Sequence, residues 1–288
     1  MIVVAVPSSA SATAGCGLVD VEVSGNACGG LLAASVTGDA QGSKCLLAGC
    51  LALSMTGNAL NEGGCGTGPG CVALSGTGNA ENHVGDHACT MYFHPDGNWV
   101  NPGCVAIAPL GDASNDAGDR ACDLGCLALS GAGHASNNAG GLSCGYWGYS
   151  GNNGAGCVAL SATGPASNKI THDGCGPKSV GAGCVAVSGT GDASNTAGNF
   201  SCGGNGGVGC ISMSGTGSAS NEAERVSCGD AGCIAVSATG HASNSQSDEP
   251  CCTTIVLTDP VPGVLGSSIA RHVFDLIAFY LALLWEQL

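Results

Sequence analysis

The chain has 288 residues, with 51 glycines, 20 cysteines, 4% aromatic residues and a formal net charge of −15 from 21 acidic and 6 basic side chains. So few large side chains argue against a thick globular core, and the acidic balance argues against nucleic acid or an anionic membrane surface as a partner, since both attract Lys and Arg. Cysteine at this density, without CxxC pairs or recurrent His partners, argues against zinc sites and points to a disulfide framework in an oxidising compartment.

Residues 1–14, MIVVAVPSSASATA, combine a short apolar run with an A-x-A ending. They resemble the tail of a secretory signal without its basic n-region, so they are expected to be a signal-peptide remnant of a secreted or surface-displayed protein.

Residues 15–252 repeat one phrase. GCLALSMTGNALN (49–61), GCVALSGTGNAEN (70–82) and GCVAIAPLGDASN (103–115) return as GCLALSGAGHASN (125–137), GCVALSATGPASN (156–168) and GCVAVSGTGDASN (183–195), then as GCISMSGTGSASN (209–221) and GCIAVSATGHASN (232–244). A weaker copy starts at Leu31 and a frayed one at Gly15. Self-similarity at periods of 20–50 residues marks a repeat architecture. Each phrase is numbered below from its Cys (Leu31 in the weaker copy) as position 0. Positions 1 and 3 are aliphatic and positions 2, 4 and 6 are mostly Ala, Ser and Thr, a period-2 pattern that predicts a strand. Position 7 is Gly from Gly38 to Gly240, position 9 is Ala from Ala40 to Ala242, and position 11 is Asn from Asn61 to Asn244. Gly at one fixed place predicts a corner that needs positive φ or a close backbone approach. The stacked Asn amides are expected to form a hydrogen-bonded ladder.

These regularities predict an all-β fold, a parallel β-solenoid of about nine to ten disulfide-braced coils, followed by a C-terminal helical segment. A strand is expected at positions 0–4, a corner at 5–8 and a second strand or turn at 9–12. The Val and Leu columns are expected to face inward, with Ser and Thr to solvent. The opposite assignment packs Ala and Ser into a very thin interior.

From each phrase's Cys to the next Cys is usually 18 residues, as from Cys71 to Cys89 or Cys233 to Cys251, and the stretch after that second Cys varies in length. Two pairing schemes fit: within a coil, or across the base of the variable loop. The second uses every cysteine in order, Cys16–Cys28, Cys45–Cys50, Cys65–Cys71, Cys89–Cys104, Cys122–Cys126, Cys144–Cys157, Cys175–Cys184, Cys202–Cys210 and Cys228–Cys233, although it leaves a vicinal Cys251–Cys252 bond. It is the favoured scheme, though spacing alone does not fix connectivity.

Two loops hold Tyr92, Phe93 and Trp99, and Tyr146, Trp147 and Tyr149. Exposed aromatics beside Asn and Asp suit recognition of glycans or surface proteins; the competing reading is that the loops pack on each other or on the solenoid flank. A Thr column runs through Thr37, Thr56, Thr77, Thr163, Thr190, Thr216 and Thr239, interrupted by Leu110 and Ala132. Ranks of small hydroxyl side chains on a disulfide-braced solenoid resemble the ice-binding face of insect antifreeze proteins. That resemblance is architectural, lacks the T-C-T unit of the beetle proteins, and implies an ice-binding alternative. The bland reading is that Ser and Thr fit tight β corners. Asp39, Asp112 and Asp192 share position 8 with Asn, His, Pro and Ser, which argues against a calcium ladder. No Ser/His/Asp order, carboxylate pair or phosphate loop points to catalysis, so no enzyme activity, cofactor or metal is expected.

Residues 253–288 change character. Pro260 and Pro262 punctuate a linker, and Ser268 is placed to cap an apolar helix running to about Trp285. Its clean apolar run, 276–285, is shorter than the ~20 residues a bilayer span needs. The expected use is a cap over the open end of the solenoid, with a membrane or wall anchor as the alternative. The chain as a whole reads as a secreted or surface-displayed structural or adhesive scaffold whose loops contact ligands, with scope for self-association.

Overall fold

The computed structural model describes residues 17–43, 50–63, 70–85, 92–93, 99–100, 103–119, 121–122, 125–141, 156–172, 183–199, 209–223, 233–246 and 255–257. Among these residues the chain is an all-β parallel β-solenoid built from two sheets, and no helix occurs.

The front sheet stacks Gly17–Glu22, Ala27–Ser35, Leu51–Ser54, Val72–Ser75, Val105–Ala108, Leu127–Ser130, Val158–Ser161, Val185–Ser188, Ile211–Ser214, Ile234–Ser237 and Ile255–Leu257 in that order. The back sheet begins on the first residues of Ala27–Ser35. It continues through Ala40–Ser43, Ala59–Glu62, Ala80–Val84, Ala113–Ala117, Ala135–Ala139, Ala166–His172, Ala193–Asn199, Ala219–Ala223 and Ala242–Gln246. Equal positions meet between coils: Leu127 pairs with Val158, and Asn137 with Asn168. The strands occupy positions 1–4 and 9 onward, joined by a bend at 5–7. Loops of different length enter at one edge, between the end of each back strand and the next Cys.

The expected orientation of the front strands is reversed. Positions 2 and 9 face inward, and their alanines, Ala33, Ala52, Ala73, Ala106, Ala128, Ala159 and Ala186 in front and Ala40, Ala59, Ala80, Ala113 and Ala166 behind, are completely buried. The Val and Leu residues at positions 1 and 3 lie on the other face, where Val105, Leu127, Val158 and Val185 at position 1 are buried as a cluster of their own and Leu53, Leu74, Leu129 and Leu160 at position 3 are only half-buried. Ser at position 4 points inward, so of the two hydroxyl columns only Thr reaches solvent. The interior between the sheets is thin because Ala and Ser line its front and Ala and Asn its back, leaving no room there for aliphatic side chains. Its other filling is a cluster of position-0 cysteines with Val84, Ala117, Ala139, Ile170, Ala197 and Ala223.

Three repeated contacts explain the phrase. At the corner, the Ser Oγ donates to the position-7 carbonyl of the preceding coil, as Ser161 does to Gly133 at 2.7 Å. The same Oγ accepts the position-7 N–H of its own coil, Gly164 N–H at 2.9 Å. The corner glycines follow from close approach: a Cβ at Gly57 would sit 2.5 Å from the carbonyl carbon of Gly38, and one at Gly133 2.7 Å from that of Gly111. Positive φ is found instead at glycines outside this column, among them Gly70, Gly103 and Gly125 just before the position-0 Cys.

Inside, the Asn ladder is continuous. Nδ2 of Asn61, Asn82, Asn115, Asn137, Asn168, Asn195 and Asn221 each donates to the Oδ1 of the next Asn at 2.7–2.9 Å. Its second hydrogen goes to the position-1 carbonyl of that next coil, as from Asn137 to Val158 at 2.8 Å. A buried amide is thereby satisfied by its own column. Asn61 starts the ladder with a buried Oδ1 that has no partner, because Gly42 stands at position 11 in the coil before it.

At position 8 an Asn or Asp Oδ1 accepts the next coil's backbone N–H, as Asp39 does from Asn58 at 2.7 Å and Asp112 from His134 at 2.8 Å. That column is a set of backbone caps, which explains its preference for short side chains bearing an acceptor.

Candidate functional site

The loop edge carries the first group of candidate residues. Tyr92–Phe93 and Trp99–Val100 form a two-stranded antiparallel hairpin in which Tyr92 pairs with Val100 and Phe93 with Trp99. Three aromatics that are apart in sequence are thus brought onto one small ribbon, inserted between the back strand Ala80–Val84 and the front strand Val105–Ala108. Tyr146, Trp147 and Tyr149 lie outside the described residues.

The Thr column is an exposed rank on the bend. Thr37, Thr56 and Thr77 fall in three successive coils, and Thr163, Thr190, Thr216 and Thr239 in four. Their hydroxyls donate back to the coil below: Thr77 to Thr56 O at 2.9 Å, Thr190 to Thr163 O at 2.7 Å and Thr216 to Thr190 O at 2.9 Å. Each of these Thr residues therefore stitches the corner to the coil below.

The back sheet holds a column missed at the level of sequence. Position 10 is Ser114, Ser136, Ser167, Ser194, Ser220 and Ser243 in six successive coils, on the outer face beside the exposed residues of position 12. The signal was in the phrase's closing ASN, whose middle residue falls between two inward positions. Charge sits on the same face: His83 lies 3.1 Å from Glu81 and 3.7 Å from Asp116.

The sulfur chemistry is concentrated at position 0. Cys122 and Cys126 are bonded to each other with Cα atoms 5.5 Å apart, closing a short loop at the edge. Cys28, Cys50, Cys71, Cys104, Cys157, Cys184, Cys210 and Cys233 are also disulfide-bonded. Cys16, Cys45, Cys65, Cys89, Cys144, Cys175, Cys202 and Cys228 lie outside the described residues. The sulfurs of Cys104, Cys122 and Cys126 lie within 4.8 Å of one another, but all three are in disulfides and offer no thiolate to a metal.

The outer front face is the other surface that sequence reasoning misplaced. Val19, Val21, Val23, Val36, Met55 and Leu110 are large apolar residues between 39% and 63% exposed. Most of them gather over the first coils, around a groove at positions 3 and 5.

Fold and sites together define a disulfide-braced parallel β-solenoid repeat protein with variable loops along one edge. No protein-family model matches the chain, and no curated protein or solved structure does either.

Proposed function

We propose that this protein is a secreted or surface-displayed structural scaffold, adhesive through its edge loops. One observation carries the reading: every coil keeps the same register while loops of different length enter at one edge, one of them gathering Tyr92, Phe93 and Trp99 on a hairpin. A rigid rod with interchangeable loops suits contact with glycans or surface proteins, where aromatic side chains supply most of the area. A disulfide across a loop base, as at Cys122–Cys126, lets that loop vary without loosening the stack. The acidic surface disfavours nucleic acid. A glycan array comparing the parent with Trp99→Ala and Trp147→Ala tests it: binding lost in either variant supports the loops as contact sites, and binding kept by both removes them.

A second reading, ice binding, is favoured by the exposed Thr rank together with the position-10 Ser column, whose members repeat once per coil at ~4.8 Å. The likeness to insect antifreeze proteins belongs to this reading alone. Thermal hysteresis in the parent, lost in a Ser167→Tyr, Ser194→Tyr variant, supports it; no hysteresis at high concentration ends it.

A further inference from the structure

Two separate disulfides meet at the sulfurs of Cys104, Cys122 and Cys126. Cys122 and Cys126 are tied to each other, and Cys104 is in a disulfide of its own. All three residues are completely buried, and their sulfurs lie within 4.8 Å of one another.

The stacking of coils puts them there. Val105 pairs with Leu127, and Leu127 N–H donates to Cys104 O at 2.9 Å, so Cys104 and Cys126 are successive members of the position-0 column. Cys122 ends the coil that Cys104 begins and returns to the column through a tight turn, in which Gly125 N–H donates to Cys122 O at 2.7 Å. Cys122 has a φ of 60°, the only non-glycine residue with positive φ among the described residues. A side chain is costly in that backbone conformation, so the Cys122–Cys126 bond spans a strained turn. The cysteine spacing admits Cys104–Cys122 as well as Cys122–Cys126, and the fold brings both options to the same three sulfurs. A thiolate exchanges with a disulfide by attacking one sulfur and expelling the other, and held proximity replaces the search for a partner.

We propose that Cys104, Cys122 and Cys126 form an internal thiol–disulfide exchange site, through which the within-coil and loop-base pairings interconvert. An external dithiol starts the sequence by attacking the partner sulfur of Cys104 and expelling Cys104 as a thiolate. The second thiol of the dithiol then frees that partner as a thiol, and the dithiol leaves oxidised to its own disulfide. The Cys104 thiolate attacks Sγ of Cys122. The Cys104–Cys122 bond forms, the Cys122–Cys126 bond breaks with its electron pair on Cys126 Sγ, and Cys126 takes a proton from water. This last exchange consumes no oxidant or reductant. It seals the coil through Cys104–Cys122 and passes the thiol to Cys126, whose N–H donates to Cys157 Sγ of the next coil at 3.3 Å. Cys104 lies between Trp99–Val100 and Val105–Ala108, so the exchange keeps a crosslink at the foot of the edge loop that carries the hairpin.

Two measurements on the full chain test this. In Cys126→Ser the Cys122 thiol has lost its partner, and the same contact lets it displace the partner of Cys104. Alkylation with N-ethylmaleimide and non-reducing digestion are expected to give a Cys104–Cys122 peptide and no label on Cys122. The parent is also treated with dithiothreitol in small steps, quenched with acid, alkylated and digested. Molecules opened at this site are expected to carry the Cys104–Cys122 bond and label on Cys126. Label on Cys122 in a Cys126→Ser protein that keeps the β circular dichroism of the parent overturns the proposal. If that variant loses its β structure, the parent decides alone. Label on Cys104 with Cys122–Cys126 intact in the parent, or a Cys104–Cys126 peptide, also overturns it.

Discussion

Asn137 donates through Nδ2 to Asn168 Oδ1 at 2.8 Å, and both side chains are 1% exposed. The pair sits mid-column, so each amide depends on the coil below and the coil above. Asn137→Ala leaves Asn168 Oδ1 without its donor, orphans Val158 O from the side-chain bond and takes an acceptor from Asn115. Stranding buried polar groups costs about 1–3 kcal/mol each, so the expected loss is about 2–4 kcal/mol. Asn244 closes the ladder and is half-buried, with a longer bond to Cys233 O of 3.1 Å, and Asn244→Ala is expected to cost about 1 kcal/mol. Urea unfolding of the two variants separates the cases. Equal midpoint shifts would show that column position does not matter and that the ladder is not cooperative.

The strands, the bend and the register were legible in the phrase, because period-2 alternation and the fixed Gly, Ala and Asn do not depend on tertiary context. Which face turns inward was not legible from the front strand alone. LALS at 127–130 alternates large and small residues, and aliphatic residues normally go inside. The deciding residues lie in the back strand. Ala135 and Asn137 share one face, and once the Asn ladder is buried the space opposite admits only Ala128 and Ser130. Ser130 is then fixed by its bonds to Gly111 O and Gly133 N–H, a relation between successive coils that no single phrase displays. The hairpin pairing of Phe93 with Trp99 was equally hidden, since FHPDGNW lacks alternation.

Gly133 and Gly85 make a matched pair for testing the close-approach account. A Cβ at Gly133 would meet Gly111 O at 2.6 Å and its carbon at 2.7 Å, both backbone atoms of the coil below. Backbone cannot swing aside, so Gly133→Ala must separate two coils, at a cost of about 1–3 kcal/mol or more. Gly85 has nothing within 4 Å of a built Cβ, and Gly85→Ala is expected to be neutral or slightly stabilising. Thermal unfolding of both variants provides the check. A stable Gly133→Ala protein would mean that the coils are spaced more loosely than these contacts require.

The Cys122–Cys126 bond closes a loop so short that it contributes little ordering compared with the coil itself. The chain-entropy relation gives about 2 kcal/mol for a loop of this size. A Cys122→Ser, Cys126→Ser double variant is therefore expected to unfold at lower urea by that amount while keeping its β circular dichroism. A non-reducing digest of the parent should contain a peptide in which these two residues are linked. Free alkylation of both thiols in the native protein would contradict the bond directly.

At the first coil, Asp20 replaces the inward alanine that position 2 carries in nearly every later coil, and Glu22 replaces the serine of position 4. Asp20 Oδ2 accepts the backbone N–H of Cys28 at 2.8 Å, crossing the interior to cap an N–H of the first back-sheet strand. Gly17–Glu22 is the outermost front strand among the described residues; an open strand edge invites another copy to add on, and an inward charge is one way to prevent it, because stacking would bury an ionised carboxylate. Asp20→Ala, Glu22→Ser turns this coil into an internal one. The double variant is expected to associate end to end, giving a higher mass by light scattering than the parent at the same concentration and rods longer than one chain by electron microscopy. Identical masses across a hundredfold concentration range would show that these two carboxylates do not guard the end.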